Sequence, residues 1–189
     1  SAVAKDLDSC TVMYGFNIQE KWALASLTKL MTAVVAIEEL DSNRIVLISE
    51  RAMATEGIAG NLQLGGQYSV SDLVKAMLVL SSNRAAKAVA DYYGFHQFVE
   101  KKPVKAVSLN MAQTDLIEPT GLSSGNQSTI GDLEKLISYI YKNHPEIFVI
   151  TRQKTVVLSE LAKNRSEEFL NINAFAQSRN DFWGGKTGY

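Results

Sequence analysis

The chain has few of the residues that most often carry chemistry. Its 189 residues include one cysteine, Cys10, and two histidines, His96 and His144. A single thiol excludes an intramolecular disulfide and any metal site built on cysteines. Both histidines read as surface or packing residues, and their scarcity weakens any Ser-His-Asp scheme. Neither charge sign dominates, with 19 Lys and Arg facing 20 Asp and Glu. Nucleic-acid binders usually show a basic excess, so no nucleic-acid partner is expected. Long apolar runs are missing too. The stretch "AVVAI" at 33–37 falls far short of the roughly 20 residues of a membrane span. A membrane anchor, if the protein has one, is expected outside this chain.

What is present is ordinary for a globular protein: 46% apolar and 21% charged residues. Residues 2–17 read as two short strands around a turn at Asp8-Ser9-Cys10. From Ser26 to about residue 40, Leu27, Leu30, Met31, Val34 and Ile37 recur at helical spacing. Ala33, Val35 and Ala36 make that helix apolar nearly all round, hence buried, and Thr28 and Lys29 then need polar partners. Residues 61–70 suggest a hairpin around Gly65-Gly66, and 71–80 a helix capped by Ser71. "SSN" (81–83) separates that helix from another over 84–94, and a further helix runs from 95 to about 102, before Pro103. A loop at 117–128 precedes a helix capped by Ser128 or Thr129, with Leu133, Leu136, Ile137 and Ile140 on its face. Residues 151–160 and 181–189 read as strands. The expected class is therefore α/β, of the α+β kind. An antiparallel sheet comes from both termini (1–24 and 149–189), with a helical lobe inserted over about 25–148. The whole of 1–189 is expected to be a single catalytic domain, its sheet cut short at Tyr189.

Three short motifs stand in order: "SLTK" (26–29), "SSN" (81–83) and "KTG" (186–188). A serine hydroxyl is a poor nucleophile until a base takes its proton. On a helix, residues three apart share a face, so Lys29 can reach Ser26. A free lysine is protonated at neutral pH, but burial and nearby positive charge lower its pKa. Lys186 could be that nearby charge if the "KTG" segment lies against the helix. The helix N-terminus adds backbone N–H groups that favour a developing oxyanion. A second S-x-N, "SGN" (124–126), sits in a loop with nothing evident to fix it, so the first is preferred.

The order S-x-x-K, S-x-N, K-T-G resembles that of the active-site serine penicillin-recognising enzymes, a superfamily that includes class A β-lactamases and penicillin-binding proteins. "ASLTKLMTA", "GGQYSVSDLVKAMLVLSSN", "AVADYYG", "EPTGL", "STIGDLEKLISYI" and "GGKTGY" look more narrowly like the D-alanyl-D-alanine carboxypeptidases, the low-molecular-mass penicillin-binding proteins. The resemblance implies a β-lactamase/transpeptidase-like fold. It makes Ser26 the acylated nucleophile, Lys29 the general base and Ser81 the proton relay to the leaving D-alanine. It gives Asn83 to Lys29 and the substrate backbone, positive charge to Lys186, and the substrate carboxylate to Thr187. The oxyanion hole would be the N–H groups of Ser26 and Tyr189, with Gly188 between Thr187 and Tyr189. The implied partners are a peptidoglycan pentapeptide and β-lactams as covalent inhibitors, with no cofactor or metal and an extracytoplasmic location.

Two rival readings follow. A class A β-lactamase would use a glutamate in an E-x-x-L-N pattern for deacylation. Glu118 in "EPTGLS" lacks the Leu-Asn and reads as a loop residue, and the second motif is S-S-N rather than S-D-N. A non-catalytic cell-wall-binding domain would be expected to have lost at least one of Ser26, Lys29, Ser81, Asn83 and Lys186. The family often carries a glycine where this chain has Cys10.

Overall fold

A computed structural model describes residues 1–188 of the chain. It begins with β1 (Ala2–Lys5), β2 (Val12–Phe16) and β3 (Lys21–Ala23), then a 3-10 turn, Ala25–Leu27, that runs directly into α1 (Thr28–Glu39). β4 (Ile45–Leu47), α2 (Glu50–Met53) and β5 (Gln67–Ser69) lead to three successive helices, α3 (Val70–Val79), α4 (Asn83–Tyr93) and α5 (Phe95–Ser108). After a loop come β6 (Gln127–Thr129), α6 (Ile130–Asn143), α7 (Glu146–Thr151), β7 (Thr155–Glu160), β8 (Arg165–Leu170) and α8 (Ala174–Ser178). The α+β class read from the sequence holds.

The core forms around α1 and α3. Ala33, Val34 and Ala36 of α1, and Leu73, Ala76, Met77 and Val79 of α3, have no exposed surface. α1, α4, α7 and β7 all pack on α3. Each buried Val, Leu or Met contributes roughly 1.5–3 kcal/mol, which outweighs the weak helix propensity of the valines. No helix among the described residues is long and apolar enough to cross a membrane.

Several local expectations change. The cap of α3 is Ser69, whose hydroxyl accepts from the Asp72 N–H at 3.0 Å, so Ser71 falls inside the helix. α5 does not stop before Pro103 but continues to Ser108. The proline removes one helical hydrogen bond, yet Phe98, Lys102 and Ala106 keep a buried face on both sides of it. The hairpin expected over 61–70 is not formed. β5 pairs instead with β4, Ile45 opposite Ser69 and Leu47 opposite Gln67. β4 is a three-residue strand directly after a helix-breaking "DSNR", too short to show a period of two.

The terminal strands form two separate antiparallel hairpins, β1–β2 and β7–β8, and no ladder joins them among the described residues. In the first turn Cys10 takes a left-handed φ of 57°, a conformation in which glycine carries no strain. The strand expected over 181–189 has no ladder through residue 188. Gly184, at φ +139°, breaks the extended backbone, and the segment is fastened to α7, where the Gly185 N–H donates to Thr151 Oγ1 at 3.1 Å.

Candidate active site

Ser26 lies in the 3-10 turn, half a turn before α1, rather than in the α-helix itself. The turn is held from both sides. β3 pairs with β6, and beyond the ladder Leu24 donates to the Asn126 carbonyl at 2.8 Å. Ala25 adopts a left-handed φ of 46°, a strain of roughly 1–2 kcal/mol for a residue with a Cβ. Lys29, one turn on, is fully buried. Its Nζ is 3.0 Å from Ser26 Oγ and donates to the Thr120 carbonyl at 2.6 Å. The spacing read from the sequence thus produces the serine–lysine contact it implied. Thr32 finds its own partner in the Pro119 carbonyl at 2.8 Å, while Thr28 Oγ1 is buried without one.

The second pair is Ser81 and Lys186. Lys186 Nζ donates to Ser81 Oγ at 2.9 Å and to the Thr187 carbonyl at 2.8 Å. Ser81 follows the C-terminus of α3 at a left-handed φ of 58°. Its neighbour Ser82 is structural, capping α4 through the Ala85 N–H and donating to the Ala59 carbonyl at 2.7 Å. A Cβ placed on Gly188 would lie 3.3 Å from Leu27 Cγ, so the "KTG" segment does run along the turn that carries Ser26. Thr187 is half-buried and Gly188 exposed. Tyr189, expected to complete the oxyanion hole, lies outside the described residues.

Burial pushes Lys29 down to about 8, and the Glu118 carboxylate works against that shift. Lys186 is pushed down to about 7, first by burial and then by the charge on Lys29. The charges of Lys29 and Lys186 act on each other, so the two amines titrate as a pair. Burial brings Lys29 down toward the range in which it can lose its proton.

Asn83 makes no hydrogen bond to Lys29. Its amide donates to the Glu56 carbonyl at 3.0 Å, and Lys29 takes its partners from Ser26 and Thr120 instead. "SGN" also differs from its reading as an unfixed loop. Asn126 is fully buried, its Oδ1 accepting from Ile117 N at 2.7 Å and its Nδ2 donating to Glu118 Oε1 at 2.5 Å. Glu118 is turned inward on its own loop, accepting from Thr120 N (2.7 Å), Thr120 Oγ1 (2.6 Å) and Gly121 N (2.5 Å). Burial raises the pKa of this carboxyl, but those bonds and the charge of Lys102 outweigh it and hold it below the usual range. A carboxylate so committed is a poor base for water, which agrees with reading Glu118 as a loop residue.

Sequence reasoning missed Gly121. It has φ +88°, and a Cβ there would fall inside the carbonyl group of Ala25 and 3.0 Å from Ser26 N. The loop thus rests directly on the backbone of the nucleophile turn, a closeness only glycine permits. His144 sits between Glu38 (3.0 Å) and Glu146 (3.1 Å), and His96 is exposed. Both lie apart from this site's hydrogen bonds.

The family model of D-alanyl-D-alanine carboxypeptidases matches residues 1–189. The chain belongs to this family. Relatives include a D-alanyl-D-alanine endopeptidase of Pseudomonas aeruginosa, 37% identical over 142 residues, or 72% of this chain and 46% of that protein. The D-alanyl-D-alanine carboxypeptidase DacF of Bacillus subtilis is 30% identical over 199 residues, covering 100% of this chain and 50% of that one. The crystal structure of a D-alanyl-D-alanine carboxypeptidase from Mycobacterium tuberculosis superposes with a TM-score of 0.91 at 28% identity, covering 99% of this chain and 71% of that one. The chain spans about half the length of the curated relatives it matches.

Proposed function

We propose that this chain is a single catalytic domain of a serine-type D-Ala-D-Ala carboxypeptidase acting on peptidoglycan stem peptides outside the cytoplasmic membrane. The observation that carries the reading is the pair of serine–lysine contacts, Ser26–Lys29 and Ser81–Lys186, with the "KTG" segment running along the nucleophile turn. Lys29, as the neutral amine, takes the Ser26 proton while Ser26 Oγ bonds to the carbonyl carbon of the penultimate D-alanine. The Ser26 N–H, with that of Tyr189, stabilises the oxyanion. The C–N bond then breaks as the proton taken up by Lys29 reaches the departing D-alanine nitrogen by way of Ser81, which leaves Ser81 a hydroxyl and Lys29 neutral for the next step. Lys186 and Thr187 hold the terminal carboxylate, and Asn83 binds the substrate backbone. Water hydrolyses the resulting ester and restores Ser26. A β-lactam opens on the same serine, but its leaving amine stays tethered, so the ester persists. The chemistry needs neither metal nor cofactor. A β-lactamase is disfavoured because Glu118 is bound into its own loop.

The test is intact-mass spectrometry after incubation with penicillin. The wild type gains one covalent adduct and Ser26→Ala gains none; an unmodified wild type would falsify the reading. A second reading, endopeptidase action on cross-linked stem peptides, is favoured by the 37% identity to endopeptidases. Chromatography of products from a pentapeptide and from a cross-linked dimer separates the two, since only the first substrate releases free D-alanine from a carboxypeptidase.

A further inference from the structure

α5 presents one face to the core, and Phe98 and Ala106 on it are 0% and 2% exposed. Lys102 stands between them at four-residue spacing and is also fully buried. An amine there carries a desolvation cost that leucine would not, and none of the chemistry above uses it. Burial pushes it down to about 7, with Glu118 opposing. Its Nζ donates to the backbone carbonyl of Glu118, which also accepts from Asn126 Nδ2 at 3.1 Å. The carboxylate of Glu118 is taken up by Thr120, Gly121 and Asn126. Lys102 therefore secures the main chain at the start of the turn, not the acid.

That turn aims the base. A neutral amine has two N–H groups and one lone pair. With one N–H of Lys29 on the Thr120 carbonyl at 2.6 Å, the lone pair can face Ser26 Oγ at 3.0 Å. The position of the Thr120 carbonyl is set by Glu118, whose carboxylate grips the next two N–H groups and whose carbonyl is held by Lys102. Gly121, the following residue, lies on the backbone of Ala25.

We propose that Lys102 is a positioning residue for acylation: its buried amine fixes the Glu118 carbonyl and, through the 118–121 turn, holds the Thr120 carbonyl that orients Lys29 toward Ser26. This rests on the acyl-enzyme reading. The role needs a hydrogen-bond donor, which lysine supplies in either protonation state.

The experiment follows the rate of labelling by a fluorescent penicillin as a function of its concentration. Lys102→Met keeps the volume and removes the donor. It should reach the same one-to-one labelling with a maximal rate at least ten-fold lower and a half-saturating concentration within two-fold of wild type. Lys102→Gln, which restores an N–H donor, should recover at least three-fold over the methionine variant. Lys102→Leu is a second donor-free variant should methionine not be accommodated. Phe98→Leu, on the same buried face, should lower the melting temperature without changing the maximal rate. A methionine or leucine variant that labels at the wild-type rate overturns the proposal, as do donor-free and glutamine variants that are equally slow. A wild type that is never labelled overturns the acyl-enzyme reading itself.

Discussion

Lys29→Met is expected to slow acylation by about 10²–10⁴-fold while leaving the protein within about 1 kcal/mol of wild-type stability. The rate falls because the variant has no base within reach of Ser26 Oγ, where Lys29 now stands at 3.0 Å. The stability hardly moves because two terms oppose each other. Forcing Lys29 from 10.5 to about 8 by burial represents about 3 kcal/mol of unfavourable desolvation at neutral pH, which methionine removes. Against that, the Thr120 carbonyl loses its partner, at about 1–3 kcal/mol for a buried acceptor. The wild-type acylation rate should climb with pH through about 8, as Lys29 loses its proton, and the methionine variant should lack that limb. Labelling rates between pH 6 and 10, with urea melts of both proteins, decide the matter. A variant that acylates at the wild-type rate would show that Lys29 is not the base.

The second large effect is expected at Gly121. Gly121→Ala places a methyl group on the carbonyl of Ala25, with Ser26 N 3.0 Å away. The three nearest atoms it meets are all main chain, so relief cannot come from a side chain swinging aside. Either the 118–126 loop or the nucleophile turn must move by about 1 Å, and a shift of that size can cost about 10²-fold in rate. Backbone strain at φ +88° adds to the clash, and the destabilisation should reach about 3 kcal/mol or more. Gly65→Ala is the control. It too has a positive φ, of +70°, but nothing lies within 4 Å of the added carbon. It should cost only about 1 kcal/mol and leave acylation unchanged. Denaturant melts and labelling rates on the two variants measure both differences. Equal effects at the two glycines would show that contact with the nucleophile turn is not what matters.

What could be read in the sequence had local causes. Ser26 and Lys29 are three residues apart, so their contact follows from helical geometry. The apolar periodicity of α1 and α3 announces the core, and the cap at Thr129 marks where α6 begins. What stayed hidden depends on distant partners. Lys29 and Thr120 are 91 residues apart, and Gly121 is required only because Ala25 lies on it. Asn126 looked loose because its partners, main-chain groups and the Glu118 carboxylate, lie eight and nine residues back. Lys102 was invisible because nothing in "EKKPVK" says which lysine faces inward. β4 escaped because three residues show no period, and the segment after Asp181 reads as a strand because nothing in its residue types announces the backbone break at Gly184.

The lysines held away from water make folding of this chain a proton-releasing reaction. Lys29, Lys102 and Lys186 carry charge in the unfolded chain up to about pH 10.5, but in the fold they are held at about 8, 7 and 7. Between about pH 7 and 10 the unfolded chain binds more protons than the native one, so these groups make stability rise with pH. Their contribution is complete above 10.5 and is lost as pH falls through 8 and then 7. The ion-paired Lys5, Lys101 and Lys105 are shifted upward and act in the opposite sense only above 10.5. Refolding in weak buffer at pH 8.5, followed with a pH electrode, should liberate protons. Net uptake would contradict the burial of these amines. The proton that Lys29 must give up before it can act is one the chain has already tended to lose in becoming folded.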